Sequence, residues 1–308
     1  MSELLHIQPI VEKAITKGQA VVALESTVIT HGLPYPDNVQ AARSMEEAII
    51  ASGATPATIA IIQGEIYIGL SADQLDFLGR QGSENVRKCS RRDLAAAAAL
   101  GENGGTTVAG TMILAHLAEI EIFATGGIGG VHRGHPFDVS ADLAELGRTP
   151  VTVICGGPKS ILDLALTREV LETNGVPVIG YQTNEMPAFY SRHSGLGVDA
   201  RVDNAVQAAE LILKQRQLGL QSGILITVPV PEEDALDASV AEEAIIQATR
   251  EADEAGISGP TSTPWLLQRV KELTDGESLK ANVSLLKNNA RTAGAIASAL
   301  AELKSRAA

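Results

Sequence analysis

Short apolar runs alternate along the chain with longer segments in which apolar residues recur every three or four positions. Apolar runs bounded by turn residues predict buried strands, and the longer spacing predicts amphipathic helices. Strands are predicted over 20–28, 57–69 (two strands joined by a tight turn), 121–127, 151–155, 176–182 and 223–228. Helices are predicted over 37–53, 90–105, 106–120, 159–173, 203–218 and 238–255, and from 263 onward nearly the whole chain is predicted to be helical.

The alternation of strands with helices predicts the fold class. This order is typical of a mostly parallel sheet that carries helices on both faces. We therefore predict an α/β fold, a three-layer α/β/α arrangement with a mostly parallel central sheet and a helical C-terminal portion. Because no internal repeat or long low-complexity linker divides the pattern, residues 1–308 are predicted to form a single domain.

The composition supports this architecture and limits the ligands. Hydrophobic residues make up 45% of the 308 positions, aromatic residues only 3%, and 29 residues are glycine. This suits parallel strands covered by helices better than a β-sandwich. The net charge of −13 argues against general binding to nucleic acid or to an anionic membrane surface. An anionic ligand must therefore be held by a local cluster of donors.

Cysteine usage and the N-terminus indicate the compartment. The two cysteines, Cys89 and Cys155, make no disulfide framework and fit a reducing environment. The opening residues "MSELLHIQPI" lack the basic and apolar regions of a secretion signal. No apolar run approaches the roughly 18 residues that a membrane span needs. We predict a soluble, cytoplasmic protein.

Polar and glycine residues follow several of the predicted strands. In mostly parallel sheets, ligands bind outside the carboxyl ends of the strands, so these residues define a candidate site. They are Glu25 with "STVITHG", "TGGIGGVHRG" at 125–134, "GGPK" at 156–159, "YQTN" at 181–184 and "VPVPEED" at 228–234.

Glu25 interrupts the apolar run "VVALESTV". A carboxylate at the end of a buried strand costs free energy unless it is paired or protonated. Such an acid, with a raised pKa, is suited to donating and accepting protons. The alternative is a structural acid bonded to the backbone or to Ser26 and Thr27.

Lys159 is predicted to lie in the first turn of the helix 159–173, after Pro158 at a helix start, where proline is favourable. An ammonium there opposes the helix dipole, which would favour the neutral amine. A neutral amine can attack a carbonyl and form a Schiff base. The alternative is a lysine that extends into solvent.

The glycine-rich stretch "FATGGIGGVHRG" follows a predicted strand. Closely spaced glycines let the backbone approach an anion, so a phosphate or sugar loop is one interpretation and a plain tight turn is another. The dinucleotide fingerprint fits poorly, because His132 stands where the third glycine should be and no helix follows. His132 and Arg133 within the loop favour ligand binding.

Two further stretches carry candidate ligands. The basic stretch "VRKCSRRDL", with Arg87, Lys88, Arg91 and Arg92, is either a solvated helix start, with Ser90 and Asp93 resembling a capping box, or a phosphate site. In "HPFDVSADLAEL", Asp138 and Asp142 could bind a hard, water-rich ion such as Mg²⁺ or Mn²⁺. Alternatively, Ser140 caps a helix whose first turn contains Asp142.

The C-terminal helical stretch carries three asparagines, Asn282, Asn288 and Asn289. Asparagine is unfavourable inside helices, so three of them indicate hydrogen bonds to other groups. Asn282 could bind a polar edge of a ligand or could form a bond between helices.

Taken together, these stretches are similar to the pseudouridine-5′-phosphate glycosidase family, also called indigoidine synthase A-like. The resemblance runs in order from about residue 8 to about residue 303. The segments that carry it are "ALESTVITHGLPYPDN", "SRRDL", "TTVAGTMILAH", "FATGGIGGVHRG", "DVSADL", "GYQTNEMPAFY" and "SLKANVSLLKNNA".

The resemblance implies an α/β/α homotrimer that reversibly splits pseudouridine 5′-phosphate into uracil and ribose 5-phosphate with a divalent metal, Mn²⁺ or another ion such as Mg²⁺. It implies that Lys159 forms a Schiff base, that Glu25 donates protons and that Asp138 binds the metal. It also implies substrate contacts near the base by His132 and Asn282 and near the phosphate by Thr125. The other implied substrate contacts are Lys88, Val108, Ser140, Ala141 and Asp142.

A lysine nucleophile suits this chemistry, because a carbon atom of uracil is a poor leaving group for ordinary carboxylate-based glycosidase chemistry. An iminium at the sugar carbon would accept the electrons that the bond cleavage requires. Two other classes stay open: an aldolase-like lyase that uses Lys159 on another sugar phosphate, and a non-catalytic nucleotide-binding protein. The second would require Lys159 and Glu25 to be dispensable.

Overall fold

A sheet of mostly parallel strands forms the centre of the computed structural model, which describes residues 4–257 and 262–307. The strands are β1 (Leu5–Ile7), β2 (Val21–Leu24), β3 (Thr55–Ile62), β4 (Glu65–Ile68), β5 (Arg87–Cys89), β6 (Gly104–Thr106), β7 (Ile122–Ala124), β8 (Val131–His132), β9 (His135–Val139), β10 (Thr152–Cys155), β11 (Leu162–Asp163), β12 (Val178–Tyr181), β13 (Ala200–Val202) and β14 (Ile224–Thr227).

Helices connect most of these strands. They are α1 (Pro9–Thr16), α2 (Asp37–Ala51), α3 (Ala72–Gln81), α4 (Leu94–Ala99), α5 (Val108–Leu117), α6 (Ala141–Leu146), α7 (Leu164–Thr173), α8 (Ala205–Gln217), α9 (Ala238–Glu254), α10 (Ser262–Leu273) and α11 (Glu277–Ala307). A single π-helical turn, Val28–Gly32, follows β2. In the described part of the chain, no helix is long and apolar enough to cross a membrane.

The main sheet has the order β1-β4-β3-β2-β7-β10-β14-β12-β13, with β6 on β3 and β5 on β6. The strands from β3 through β2, β7, β10, β14 and β12 to β13 all run parallel. β4 and β6 pair antiparallel with β3. A second sheet has the order β11-β8-β9 and is antiparallel.

Helices cover both faces of the main sheet, because successive side chains of a strand point to opposite faces. In β2, Val21 and Ala23 pack into a core with α1, α5, α6 and α7. Val22 and Leu24 pack into the opposite core with α2, α8 and α11. This confirms the predicted three-layer α/β/α architecture with a mostly parallel sheet.

The last helices form a third core over the segments that follow β10 and β12. Residues of α9 and α10 pack there against Ile161, Leu162, Phe189 and Tyr190. The predicted helical C-terminal portion is confirmed over the described residues, and it covers the carboxyl ends of the central strands.

Two predicted helices are wrong in part. The segment 90–105 contains only the short helix α4, flanked by β5 and β6. Gly105 lies in β6, where an added Cβ would be 2.2 Å from the Thr30 hydroxyl. Gly105 therefore allows β6 to pack closely against the π-helical turn that contains Thr30, and it does not simply terminate a helix.

The predicted helix 159–173 begins only at Leu164, because the preceding backbone bonds to other segments. Pro158 pairs with Ile128, and the Lys159 N–H donates to the Ile128 carbonyl at 3.1 Å. Asp163 caps α7 by accepting from the Leu166 N–H at 2.9 Å. Lys159 and Pro158 thus precede the helix, and the prediction that the helix dipole activates Lys159 is wrong.

The predicted strand 20–28 is also too long, since β2 ends at Leu24 and the chain turns into the π-helical segment. The remaining predicted strands match observed ones within a few residues. The strands that were not predicted are all two to five residues long and carry little periodicity; they are β1, β5, β6, β8, β9, β11 and β13.

Candidate active site

A cleft opens at the carboxyl ends of β2, β7 and β10. Glu25 follows β2 directly, Thr125 follows β7, and Lys159 lies four residues after β10. Because these strands are parallel neighbours, the three residues meet at one edge of the sheet. A cavity of about 620 Å³ there is lined by Glu25, Lys88 and Lys159 among others.

Glu25 is buried in this cleft, with 6% of its surface exposed. The hydroxyls of Thr27 and Thr125 each donate a hydrogen bond to its carboxylate. Burial raises the pKa of Glu25 to about 7, although the charge of Lys159 and the bond from Thr125 partly oppose that rise. Near neutral pH the group can therefore both donate and accept a proton.

Two lysines lie close to Glu25. Lys88 stands in β5 and is half-buried, and Lys159 is held in the loop after β10. Burial and the nearby charge of Lys159 lower the pKa of Lys88, whereas Asp142 and Glu25 oppose this shift. The cleft thus combines two amines with one buried carboxyl group.

One part of the cleft, which we call the polar half, is rich in charge. Arg91 and Arg92 lie there, and the buried Ser90 hydroxyl has no hydrogen-bond partner among the described residues. Burial lowers the pKa of His132, while the charge of Asp138 opposes the shift. The predicted substrate residues that line this half are Lys88, Val108, His132, Ser140, Ala141 and Asp142.

Within the polar half, Asp142 joins two backbone segments. Its Oδ1 accepts from the Ala109 N–H and its Oδ2 from the Gly129 N–H, each at 2.9 Å. Ser140 caps α6 by accepting from the Asp142 N–H at 3.2 Å. The helix-cap interpretation of Ser140 and Asp142 is therefore confirmed, and Asp142 fixes the loop on which the cleft is built.

The glycine loop is closely packed. An added Cβ at Gly129 would lie 2.3 Å from the Ser140 hydroxyl, and one at Gly127 would lie 2.7 Å from the Phe189 ring. The N–H groups of Ile128 and Gly129 donate within the protein, at 3.1 Å and 2.9 Å. These glycines permit close contacts, and the interpretation of the loop as an open set of N–H donors is not supported at these two positions.

Asp138 lies on the exposed strand β9 and lines the polar half. Among the described residues, no group of three or more His, Cys, Asp and Glu side chains could hold a metal ion. Both oxygens of Asp142 are already engaged. The residues present therefore fit only an ion that keeps most of its water ligands and bonds to Asp138.

The other part of the cleft, which we call the apolar half, is walled by hydrophobic groups. It is lined by Val28, Leu33, Leu267 and Leu286 together with Thr125, His31, Phe189 and Asn282. Burial, followed by the charge of Lys88, lowers the pKa of His31 to about 4, so its imidazole is neutral. This half suits a flat, uncharged group.

Phe189 has a backbone φ of +63°, which is rare for a bulky residue and stores strain. Its ring lies edge-on to Tyr190, with centroids 4.9 Å apart. Neither Phe189 nor His31 was predicted from the sequence as a site residue. His31 could have been found, because it is a polar residue in the segment "STVITHG" that follows Glu25. No feature of the sequence marks Phe189 as a site residue.

The three asparagines of α11 have different surroundings. Asn289 is buried and donates to the Thr125 carbonyl at 2.8 Å, and Asn288 donates to the Pro229 carbonyl at 3.2 Å. Asn282 instead lines the apolar half beside Gly126. Two asparagines thus bind backbone, and the third faces the cavity.

The basic residues of the stretch "VRKCSRRDL" also have different surroundings. Arg91 forms a bidentate pair with Glu145, both bonds at 2.6 Å, and Arg87 donates to Glu102 at 3.0 Å. Arg92 is 83% exposed. Lys88 lies in strand β5, is half-buried and lines the cleft. The interpretation of this residue as part of a solvated helix start is therefore wrong.

The fold and the cleft define a class: an α/β protein with a lysine and a buried, proton-bearing glutamate at the carboxyl ends of parallel strands. Sequence comparison then gives the family, since the model for "Indigoidine synthase A like protein" matches residues 10–299. The chain belongs to this family.

Relatives support an enzymatic identity. The chain is 53% identical over 305 residues to "Pseudouridine-5'-phosphate glycosidase" from Caldanaerobacter subterraneus, covering 98% of this chain and 99% of the relative. It is 54% identical over 297 residues to the protein of the same name from Escherichia coli, covering 96% and 95%.

Two solved structures share the fold. The "prealnumycin C-glycosynthase AlnA in complex with ribulose 5-phosphate" matches with a TM-score of 0.91 and 37% identity, over 99% of this chain and 100% of that one. An indigoidine synthase A-like protein from Thermotoga maritima matches with a TM-score of 0.88 and 35% identity, over 97% of each chain.

Proposed function

We propose that this protein reversibly cleaves the carbon–carbon glycosidic bond of pseudouridine 5′-phosphate to give uracil and ribose 5-phosphate. The observation that carries the proposal is the placement of Lys159 beside Glu25 in a cleft with a polar half and an apolar half. Burial raises the pKa of Glu25 to about 7. The names of the relatives at 53% and 54% identity support the same substrate.

The two halves of the cleft suggest how the substrate lies. The phosphate would occupy the polar half, where Lys88 and Arg92 supply positive charge and the Ser90 hydroxyl is available as a donor. The uracil would occupy the apolar half between Phe189 and Asn282. The sugar carbon C1′ would then lie between them, next to Lys159 and Glu25.

Lys159 supplies the nucleophile in this proposal. Its unprotonated amine bonds to C1′ as the ring C1′–O4′ bond opens, and Glu25 gives a proton to the ring oxygen. The attached nitrogen, now cationic, gives a proton to the Glu25 carboxylate, and its freed lone pair forms the C=N bond of an iminium while the C1′–uracil bond breaks. The electron pair of that bond goes to the uracil carbon, which takes a proton, and water hydrolyses the iminium.

Glu25 can both give and take protons in these steps, because its pKa of about 7 lies near neutral pH. The hydroxyls of Thr27 and Thr125 hold its carboxyl group in place. We therefore assign Thr125 to the orientation of Glu25 and place the phosphate at the other end of the cleft.

We also propose that Asp138 holds a divalent metal, Mn²⁺ or an ion such as Mg²⁺, through one carboxylate with water as the other ligands. Such an ion would supply positive charge at the polar half. A homotrimer is proposed on the sequence resemblance alone, and a cytoplasmic location on the two free, buried cysteines, which fit a reducing compartment. Size-exclusion chromatography with light scattering tests the trimer.

The direct test is uracil release from pseudouridine 5′-phosphate, followed by absorbance and chromatography, for the wild type, Lys159→Arg and Lys88→Arg. We expect Lys159→Arg to release no uracil above background, because a guanidinium does not form the iminium. Lys88→Arg should keep measurable turnover with a raised KM. Release by Lys159→Arg at the wild-type rate would rule out the proposed nucleophile.

A second candidate function is the synthesis of a different C-glycoside. It is favoured by the structural neighbour at a TM-score of 0.91, which is named a C-glycosynthase and holds ribulose 5-phosphate. Incubation with ribose 5-phosphate and a panel of aromatic acceptors, uracil among them, distinguishes the two. Preference for uracil supports the glycosidase.

A further inference from the structure

Arg133 lies next to His132 in the β8–β9 hairpin and is not among the residues that line the cleft. Its Nε donates to the Leu162 carbonyl at 3.1 Å, and its Nη2 donates to the Ser160 carbonyl at 3.0 Å. Both carbonyls belong to the segment directly after Lys159. A single guanidinium therefore bonds to two backbone carbonyls on the C-terminal side of the proposed nucleophile.

The same guanidinium also binds α9. Nη1 donates to Glu242 Oε1 at 2.6 Å and Nη2 donates to Glu242 Oε2 at 3.0 Å. Only the planar, five-donor geometry of arginine can serve two carbonyls and a bidentate carboxylate at once. Arg133 thus joins the hairpin, the Lys159 segment and the C-terminal helical layer.

On its N-terminal side, Lys159 is held by a bond from its own N–H to the Ile128 carbonyl at 3.1 Å. The segment forms no helix before Leu164, so helical hydrogen bonds do not fix the position of Lys159. On its C-terminal side, the Lys159 carbonyl accepts from the Leu162 N–H at 3.0 Å and Leu162 pairs with His132. The bonds from Arg133 to the Ser160 and Leu162 carbonyls add a side-chain tie to this short turn.

We propose that Arg133 and Glu242 are positioning residues that hold the Lys159 segment at the geometry needed for attack on the sugar carbon. The inference rests on the proposed function. Misplacement of a reacting group by about 1 Å can cost up to about 100-fold in rate. Loosening this pair should therefore lower kcat and leave binding of the substrate nearly unchanged.

The same helix offers a matched control. Arg269 of α10 forms a comparable bidentate pair with Glu251 of α9, at 2.5 and 3.2 Å. Arg269 is 30% exposed and Arg133 is 26% exposed. Within residues 4–257 and 262–307, Arg269 donates to the side chains of Glu251 and Glu272 and to no backbone carbonyl.

The experiment compares Arg133→Lys and Glu242→Gln with Arg269→Lys and Glu251→Gln. For each folded variant, kcat and KM are measured with pseudouridine 5′-phosphate, together with the rate of borohydride trapping of ribose 5-phosphate on Lys159. We expect kcat and the trapping rate to fall at least about tenfold in the first pair, with KM changed less than about twofold. The control pair should keep both rates.

Wild-type rates in Arg133→Lys and Glu242→Gln, or equal losses in the control pair, would overturn the positioning role while the proposed function stands. If the wild-type protein traps ribose 5-phosphate on Lys159 but releases no uracil, the proposed substrate fails and the trapping comparison still decides the positioning role. If the wild type traps nothing on Lys159, both inferences fail.

Discussion

Two buried glutamates in this protein have opposite surroundings. Glu25 lies in the cleft with 6% of its surface exposed. In the described part of the chain, its carboxylate accepts hydrogen bonds only from the hydroxyls of Thr27 and Thr125. Glu145, at the end of α6, has no exposed side-chain surface and forms a bidentate pair with Arg91.

The surroundings shift the two pKa values in opposite directions. Burial raises the pKa of Glu25 to about 7. Burial also raises the pKa of Glu145, but the bonds from Arg91 and Thr149 more than offset it, so the net shift is downward. The lowered pKa keeps Glu145 charged near neutral pH, whereas Glu25 can exchange a proton there. The presence of a hydrogen-bonded cation distinguishes the two.

The largest expected effect follows from removing the proton-exchanging acid. Glu25→Gln keeps the shape of the side chain but carries no exchangeable acid, so we expect turnover to fall by roughly 10²–10⁴-fold. Glu145→Gln is the matched control and should keep turnover within about twofold once folded. Uracil release under saturating substrate measures both; equal losses in the two variants would contradict the distinction.

The pH dependence of stability should differ between the wild type and Glu25→Gln. An acid whose pKa rises from 4.5 unfolded to about 7 folded binds more protons when folded. Its contribution is therefore fully present below about pH 4.5 and is lost as the pH rises through 7. The difference in the free energy of unfolding, Glu25→Gln minus wild type, should therefore be more favourable to the variant at pH 8 than at pH 4 by up to about 3 kcal/mol.

Urea unfolding of the two proteins at pH 4, 6 and 8 measures this difference. The gap between Glu25→Gln and the wild type should widen steadily with pH. A gap that stays constant would mean that Glu25 titrates alike in the folded and unfolded chains.

Glu145→Gln should lower stability, because it removes the charge that binds Arg91. We expect a loss of about 2 kcal/mol at pH 7, the range for hydrogen bonds to charged groups. Because the pKa of Glu145 is lowered on folding, its contribution to stability is present above the unfolded pKa and is lost as the pH falls through the folded pKa. The loss caused by Glu145→Gln should therefore shrink as the pH falls. Chemical denaturation at pH 7 and pH 3 checks this, and a stabilised variant would show that burial outweighs the pair.

The smallest expected effect concerns the apolar wall near Glu25. Phe189→Leu keeps the wall apolar but loses the flat ring, so KM for pseudouridine 5′-phosphate should rise by about fivefold, equivalent to about 1 kcal/mol of base stacking. Trapping of ribose 5-phosphate, which has no base, should be unaffected. An equal effect on both ligands would mean that the ring shapes the whole cleft and not the base site.

The sequence predicted the sheet, its helical layers and the edge where Glu25 and Lys159 meet, because strand–helix alternation and the parallel-sheet rule are strong signals. It did not predict that Lys159 precedes α7, because the bonds of the Lys159 segment to Ile128 and Arg133 are long-range. Asp163, which caps α7, was the local signal from which the start of this helix could have been predicted at Leu164 and not at Lys159.

Other parts of the site depended on contacts that no short motif encodes. Phe189 enters the cleft through a strained loop, and His31 through a π-helical turn after β2. The glycine-rich loop was expected to let the backbone approach an anion, and the structure uses Gly127 and Gly129 for close packing against Phe189 and Ser140.

The central claim is that Lys159 forms a covalent iminium with the sugar. It is tested most directly by incubating the protein with ribose 5-phosphate, adding borohydride and locating the reduced pentose-phosphate adduct by peptide mass spectrometry. We predict a single adduct on Lys159, formed more slowly in Glu25→Gln. No adduct, or one on Lys88 alone, would contradict the account and leave Lys159 as a phosphate ligand.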